Sequence, residues 1–103
     1  MIYAVQLTSV PSNDTVDLCT NITFTCEGYG APAPNITWKH SDVPLSMAIV
    51  NRSESLNGTT YISSNLSINN LQYRNRGLYM CCIQNELGND TAIFNLSINY
   101  EGS

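Results

Sequence analysis

Four cysteines, one histidine and a surplus of asparagine hold the reactive side chains of this 103-residue chain. The cysteines are Cys19, Cys26, Cys81 and Cys82. They contain no Cys-x-x-Cys pair, and His40 is the only histidine, so zinc ligation has no usable spacing. Disulfides or buried thiols remain. His40 stands beside Ser41 and Asp42 in a turn signal. Three consecutive residues rarely converge as a catalytic triad, because strand alternation sends neighbours to opposite sides. His40 therefore reads as a solvated loop residue. No Gly-rich phosphate loop leads from a strand into a helix, and the acids are too scattered to cage calcium. No catalytic residue, cofactor or metal is expected.

The asparagines carry a different chemistry. Asn-x-Ser/Thr, the acceptor motif for N-glycans, begins at Asn13, Asn21, Asn35, Asn51, Asn57, Asn65, Asn89 and Asn95. With 13 Asn and 20 Ser plus Thr in 103 residues, chance gives roughly 2.5 such triplets. The excess has two readings. One is a β-rich composition that favours Thr and Ser on exposed strand faces. The other is a glycosylated protein of the secretory pathway, an oxidising route in which disulfides persist. There is no signal peptide and no apolar run long enough to span a bilayer. The expectation is a secreted protein or one module of a longer ectodomain, secreted or on the extracellular side of the plasma membrane. Cations number only four (Lys39, Arg52, Arg74, Arg76) and the net charge is −4. That surface is a poor match for nucleic acid, heparin or anionic lipid, each of which needs a cationic patch. The charge itself reads as solubility.

These side chains sit on short strands. Ile2–Leu7 alternates apolar and polar. Val10-Pro11-Ser12-Asn13 interrupts it, since proline cannot donate to a ladder, and Thr15–Leu18 resumes it on a second sheet. Asn21–Cys26 alternates strictly, with Ile22, Phe24 and Cys26 on one face. Gly28–Pro34 reads as a stiff turn. Asn35–Lys39 follows with Ile36 and Trp38 inward, then a turn at Ser41–Pro44. Leu45–Val50 is a short strand, and Asn51–Thr60 a weak edge strand with a turn at Asn57-Gly58. Leu66 and Ile68 form the next inward pair, closed by Leu71, and Gln72–Arg76 is a polar corner. The stretch from Gly77 through Gly88 alternates as a strand ending in a Gly-bounded turn, and it holds Tyr79, Cys81 and Cys82. A turn at Leu87–Asp90 leads to Thr91–Tyr100, where Ala92, Phe94, Leu96 and Ile98 point one way. Turns at roughly 8–12-residue spacing, with no sustained helical period, predict an all-β sandwich or barrel. The length suits one domain, residues 1–100, with 101–103 the start of a linker.

Alternation places Cys26 and Cys81 inward, 55 residues apart, with Trp38 inward between them. A bridge between two such positions would contribute roughly 4 kcal/mol on the chain-entropy model. Tyr79 is placed to turn its hydroxyl back onto backbone before Gly77, as a tyrosine corner. At this point the chain resembles the immunoglobulin superfamily, in its intermediate (I-set) type. The residues carrying the resemblance are Cys26, Gly30, Pro32, Pro34, Trp38, Leu66, Ile68, Gly77, Tyr79, Cys81, Asn85, Gly88, Leu96 and Ile98. They run through nearly the whole chain. The resemblance implies a Greek-key β-sandwich of two antiparallel sheets pinned by a Cys26–Cys81 disulfide, with Trp38 and Tyr79 against the pin. One position departs from the pattern. Asn75 stands where the family usually has an acid, so the Asp–Arg pair across that end should be absent. An asparagine there can still bond neighbouring backbone.

The resemblance also implies a recognition role without catalysis. The partners would be proteins, homophilic or heterophilic, together with N-glycans and neighbouring immunoglobulin-like domains. Spacer modules of matrix or intracellular filament proteins, and accessory domains of enzymes, are the other classes. Alternation turns Thr37, Lys39, Cys82, Gln84 and Ile93 outward on the sheet of Trp38, Cys81 and Phe94, and these are the candidate contact residues. Asn95 shares that face. Asn21 and Asn65 face outward on the other sheet, with Asn13 and Asn57 near its edges, so glycans are expected to shield that second face. Tyr29 is either a packing residue or a contact aromatic. Cys19 lies seven residues before Cys26, up to about 23 Å along a strand at about 3.3 Å per residue, which puts a Cys19–Cys82 bridge out of reach. Three readings of the pair stay open. They are free thiols with Cys19 half-buried and Cys82 exposed, an intermolecular or interdomain bridge through Cys82, and a second internal bridge after local rearrangement.

Overall fold

The computed structural model describes residues 3–41, 43–45 and 48–99. Nine strands run through them: β1 Tyr3–Ser9, β2 Asp14–Asp17, β3 Ile22–Ala31, β4 Asn35–His40, β5 Val43–Leu45, β6 Ile49–Leu56, β7 Thr59–Ile68, β8 Gly77–Asn85 and β9 Gly88–Asn99. One 3-10 turn, Tyr73–Asn75, is the only helical piece among the described residues. The strands form a four-stranded sheet in the order β1-β3-β7-β6 and a five-stranded sheet in the order β2-β9-β8-β4-β5. Neighbours are antiparallel except β2, which runs parallel to β9 from Asp14 opposite Leu96 to Asp17 opposite Asn99. The break after β1 causes this. The chain leaves the first sheet at Ser9, passes Pro11 and joins the second sheet without reversing.

The core lies between the sheets. Phe24, Cys26, Ile36, Trp38, Ile62, Leu66, Leu71, Tyr79, Cys81, Ile83, Phe94, Leu96 and Ile98 are buried in one cluster. Phe94 is its hub, with Phe24 at 4.6 Å between ring centroids, Tyr79 stacked at 5.6 Å and Trp38 edge-on at 6.2 Å. The Cys26–Cys81 disulfide joins β3 to β8 across the two sheets. The Tyr79 hydroxyl donates to the Asn75 carbonyl at 2.6 Å and closes the corner before β8. Within that corner the Asn75 side-chain oxygen accepts the Gln72 backbone N–H at 2.8 Å, so the amide performs the backbone-bonding part of an acid's role.

Several local expectations are corrected. Gly28–Ala31 is not turn but the end of β3, and the turn shrinks to Pro32–Pro34. The glycines are there because strands crowd. A Cβ at Gly28 would lie 2.4 Å from the Gln6 carbonyl oxygen of β1, and one at Gly30 would lie 2.7 Å from a Val5 methyl. The hairpin after β8 is tighter than Leu87–Asp90. Asn85 pairs with Gly88, and the Asn85 side-chain oxygen takes the N–H groups of Leu87 and Gly88, so Asn89 and Asp90 already belong to β9. The expected strand Leu45–Val50 splits between the two sheets, with Leu45 ending β5 and Ile49 opening β6. The Ser41–Pro44 turn narrows, because β5 begins at Val43. Asp42, Ser46 and Met47 lie outside the described residues, as do Met1, Ile2 and Tyr100–Ser103.

Candidate protein-contact face

The outer face of the five-stranded sheet is built by the alternation that fills the core. With Trp38, Tyr79, Cys81, Ile83, Phe94 and Leu96 inward, the intervening residues of β4, β8 and β9 must point away. The register sets them in rows. Thr37, Cys82 and Thr91 form one row, and Lys39, Met80 and Ile93 form the next. Asn35, Gln84 and Asn89 lie above them, with Leu78 and Asn95 below. Thr37, Lys39, Gln84 and Ile93 are exposed and Cys82 is half-buried, so the candidate contact residues share one surface. Its apolar content is larger than the candidate residues alone suggest. Leu78, 56 % exposed, and half-buried Met80 join Ile93, 62 % exposed. Alternation outward from Tyr79 and Cys81 was the signal for both. No acidic side chain of β4, β8 or β9 faces outward among the described residues, and Lys39 is the face's charged group.

The remaining thiols exchange the exposures expected of them. Cys19 is exposed and Cys82 is half-buried, and both are free. Cys19 sits at a positive φ of 65° in the turn after β2, where its backbone N–H donates to Leu71. A turn at the pole of the sandwich offers it no cover. Cys82 lies mid-sheet between Thr37 and Thr91, and its thiol leans on the Ile83 carbonyl at 3.8 Å.

His40 is not a solvated loop residue. It closes β4, half-buried. Its ring stacks on Tyr79 with centroids 4.2 Å apart, and Nε2 lies 2.8 Å from the Arg76 carbonyl oxygen. A carbonyl only accepts, so Nε2 carries the proton and donates. The ring is thereby a wall of the tyrosine corner. Tyr79 is pushed up to about 12 by burial. Among the described residues no three His, Cys, Asp or Glu side chains gather as metal ligands.

The glycan acceptors divide evenly between the sheets. Asn21, Asn51, Asn57 and Asn65 belong to the four-stranded sheet or its connections, while Asn35, Asn89 and Asn95 lie on β4 and β9. Asn13 was expected at the first sheet's edge. It lies against the second, where its side-chain oxygen takes the Asn95 backbone N–H at 2.7 Å. Acceptor number therefore does not set one face apart. Asn51 also differs from an ordinary edge residue. The Trp38 indole N–H donates to Ser64 Oγ at 2.8 Å, and the Ser64 hydroxyl donates in turn to the Asn51 side-chain oxygen. On the outer side of the same sheet, Glu27, Arg52, Glu54, Tyr61 and Ser63 line a shallow open trough of about 530 Å³. Those residues come from three strands, and no local sequence signal connects them. Tyr29, beside the trough, lies 5.8 Å from the Tyr61 ring, and its hydroxyl donates to the Gln6 side-chain oxygen.

Two sheets pinned by a cystine, an inward tryptophan and a tyrosine corner define an immunoglobulin-type sandwich. The chain belongs to the immunoglobulin I-set domain family, whose model matches residues 5–98. It is 32% identical over 100 residues to neural cell adhesion molecule 1 of Gallus gallus, covering 92% of this chain and 9% of that protein. It is 31% identical over 93 residues to the peroxidasin homolog of Mus musculus, covering 88% of this chain and 6% of that protein. The chain thus spans less than a tenth of the length of these relatives. In fold it is similar to a titin domain, with a TM-score of 0.74 at 17% identity over 96% of this chain and 99% of that one. It is also similar to the tandem immunoglobulin repeats of Dlar, with a TM-score of 0.70 at 23% identity over 93% and 48% of the two chains.

Proposed function

We propose that this domain is a non-catalytic recognition module of an extracellular protein. It binds a protein partner through the outer face of β4, β8 and β9. The observation that carries this reading is the apolar step formed by Leu78, Met80 and Ile93 on disulfide-backed strands, β4, β8 and β9, whose outward side chains include no acid among the described residues. A contiguous exposed apolar surface of this kind marks interaction sites on soluble domains. The likeness to neural cell adhesion molecule 1 and the eight glycan acceptors support the extracellular adhesion role. In the test, fluorescent tetramers of the secreted chain are scored for binding to intact animal cells, beside an Ile93→Arg/Leu78→Ser variant. The variant should lose most of the cell staining with an unchanged melting temperature. Equal staining by the variant, with staining abolished by Tyr61→Ser in the trough, would move the site to the opposite sheet.

A spacer role is the second reading, and one observation favours it. Tyr3 lies level with Ala31 at one pole and Asn99 level with Asp17 at the other, in a body 53 Å long. Entry and exit at opposite poles suit a module strung between neighbouring domains of the same kind. Under this reading residues 1–100 are one link, and tetramers stain no cell type.

A further inference from the structure

The four-stranded sheet ends in a long open edge. β6 bonds to β7 on one side only, across eight paired positions from Ile49 opposite Leu66 to Leu56 opposite Thr59. Every residue from Val50 to Leu56 is exposed, with Val50 at 59% and Leu56 at 60%. Such an edge is a template for pairing with another chain, and proteins that keep one normally blunt it. The edge strands of the other sheet, β2 and β5, are four and three residues long. β1, the other edge of the same sheet, has seven residues and two breaks in register, so β6 is the longest regular edge, and it holds no proline.

An acceptor triplet, Asn51-Arg52-Ser53, lies within this edge strand. The hydrogen bonds behind it fix which way its amide faces. Trp38 Nε1 is a donor only, so Ser64 Oγ accepts its hydrogen bond. Ser64 is fully buried and must donate its own hydroxyl hydrogen bond to an acceptor. That acceptor is the Asn51 side-chain oxygen. The amide oxygen is thus tied through Ser64 to the tryptophan of the core, while the amide nitrogen belongs to a residue that is exposed on the edge strand. No protein group among the described residues bonds that nitrogen.

We infer that Asn51 carries an N-glycan whose task is to guard the β6 edge against strand pairing. The inference rests on the extracellular reading above, because the sugar is added in the secretory pathway. The donor is a lipid-diphosphate-linked oligosaccharide. A bond forms between Asn51 Nδ2 and the anomeric carbon, the anomeric carbon–oxygen bond breaks, the lipid diphosphate leaves and the amide gives up one proton. The amide oxygen is untouched, so the bond from Ser64 survives and the glycan leaves from a side chain anchored to the core. The bulk of the sugar then excludes a second strand from the eight-residue edge.

The test uses the whole chain secreted from mammalian cells. Site-by-site glycopeptide mass spectrometry reads occupancy. Ser53→Ala removes the acceptor motif and leaves the Asn51 amide and its bond from Ser64 in place. Expected results are an occupied Asn51 and a Ser53→Ala protein lighter by one glycan, with its melting temperature within a degree or two of the parent. By light scattering at tens of micromolar that variant should at least double in mass, and adding Val50→Lys on the same edge should return it to monomer. Occupancy elsewhere with Asn51 bare overturns this inference and leaves the extracellular reading intact. So does a Ser53→Ala protein that has lost the glycan and stays monomeric. If all eight acceptors are bare in the secreted chain, the extracellular reading falls and this inference with it.

Discussion

Ser64→Ala removes one oxygen from the middle of the sandwich and leaves a buried donor without its acceptor. Ser64 and Trp38 are buried at 0% and 1% exposure. The indole N–H has Ser64 Oγ as its acceptor at 2.8 Å. With a methyl group in its place the indole donor is left in apolar surroundings, a penalty of about 1–3 kcal/mol. The Asn51 amide loses its bond from Ser64, but it sits at an exposed edge and rebonds to water, so it adds little. Alanine fills nearly the volume of serine, so no cavity term enters. A midrange loss of about 2 kcal/mol lowers the melting temperature of a domain this size by roughly 8–16 °C. The assay is urea unfolding followed by far-ultraviolet circular dichroism, which does not depend on the tryptophan itself. The control is the cycle with Trp38→Phe, since phenylalanine has no N–H to strand. In that background Ser64→Ala should cost below about 0.5 kcal/mol, leaving most of the penalty as coupling between the two positions. Equal costs in both backgrounds would mean that the loss comes from Ser64 packing and not from an orphaned donor.

Tyr79 supplies a pH signature. Burial raises its phenol to about 12 from the ordinary 10, so the folded state favours the neutral form. That contribution is complete below about pH 10 and is lost as the pH climbs from 10 toward 12. Tyr79→Phe should lose the 2.6 Å bond to Asn75, a cost of about 1 kcal/mol at neutral pH, and should flatten the alkaline part of the stability profile relative to the parent. An unchanged alkaline slope in the variant would show that other groups set it. Replacing Cys26 and Cys81 by alanine opens a loop of 55 residues and should lower unfolding stability by about 4 kcal/mol in denaturant titration. Gly28→Ala drives a Cβ to 2.4 Å from the Gln6 carbonyl. It should cost about 1–3 kcal/mol and raise amide exchange on β1 first, while β8 amides keep their protection.

The sequence exposes inward positions better than outward ones, for a physical reason. A core residue must be apolar and must recur every second position, so Phe24, Cys26, Ile36, Trp38, Tyr79, Cys81, Phe94 and Leu96 could be placed without any contact being known. Gly28 and Gly30 misled because glycine serves both turns and close strand approach. The 2.4 Å clash that excludes a side chain at Gly28 comes from Gln6 on another strand, which no local pattern records. His40 misled similarly. Its neighbours in sequence look like a turn, while its stacking partner Tyr79 lies 39 positions away, fixed by the β4–β8 register. The candidate contact face was half legible. Thr37, Lys39, Cys82, Gln84 and Ile93 follow from alternation, and so would Leu78 and Met80. The trough around Arg52 and Tyr61 was not, because it exists only once β3, β6 and β7 lie side by side.

Charge placement separates the two faces where acceptor number does not. The chain carries a net charge of −4, so two copies or two similarly acidic modules repel at any randomly chosen pair of surfaces. Glu27 and Glu54 face outward on the four-stranded sheet, and Arg52 lines the same trough. Asp14 and Asp17 lie on β2 at the other sheet's edge, and Glu86 lies in the β8–β9 hairpin. Asp90 turns its carboxylate to the Leu7 N–H at 3.0 Å and is spent within the fold. What the acids leave uncovered is the centre of the five-stranded sheet, where Leu78, Met80 and Ile93 stand beside Lys39. Burying an unpaired carboxylate costs several kcal/mol, whereas burying these side chains is favourable at about 25 cal/mol per Å². A partner that settles on this face strands no carboxylate of β4, β8 or β9. A partner on the opposite sheet must first match Glu27, Arg52 and Glu54. The same alternation that fills the core with Trp38 and Phe94 therefore leaves, on its other side, the surface of this domain that is least costly to dry.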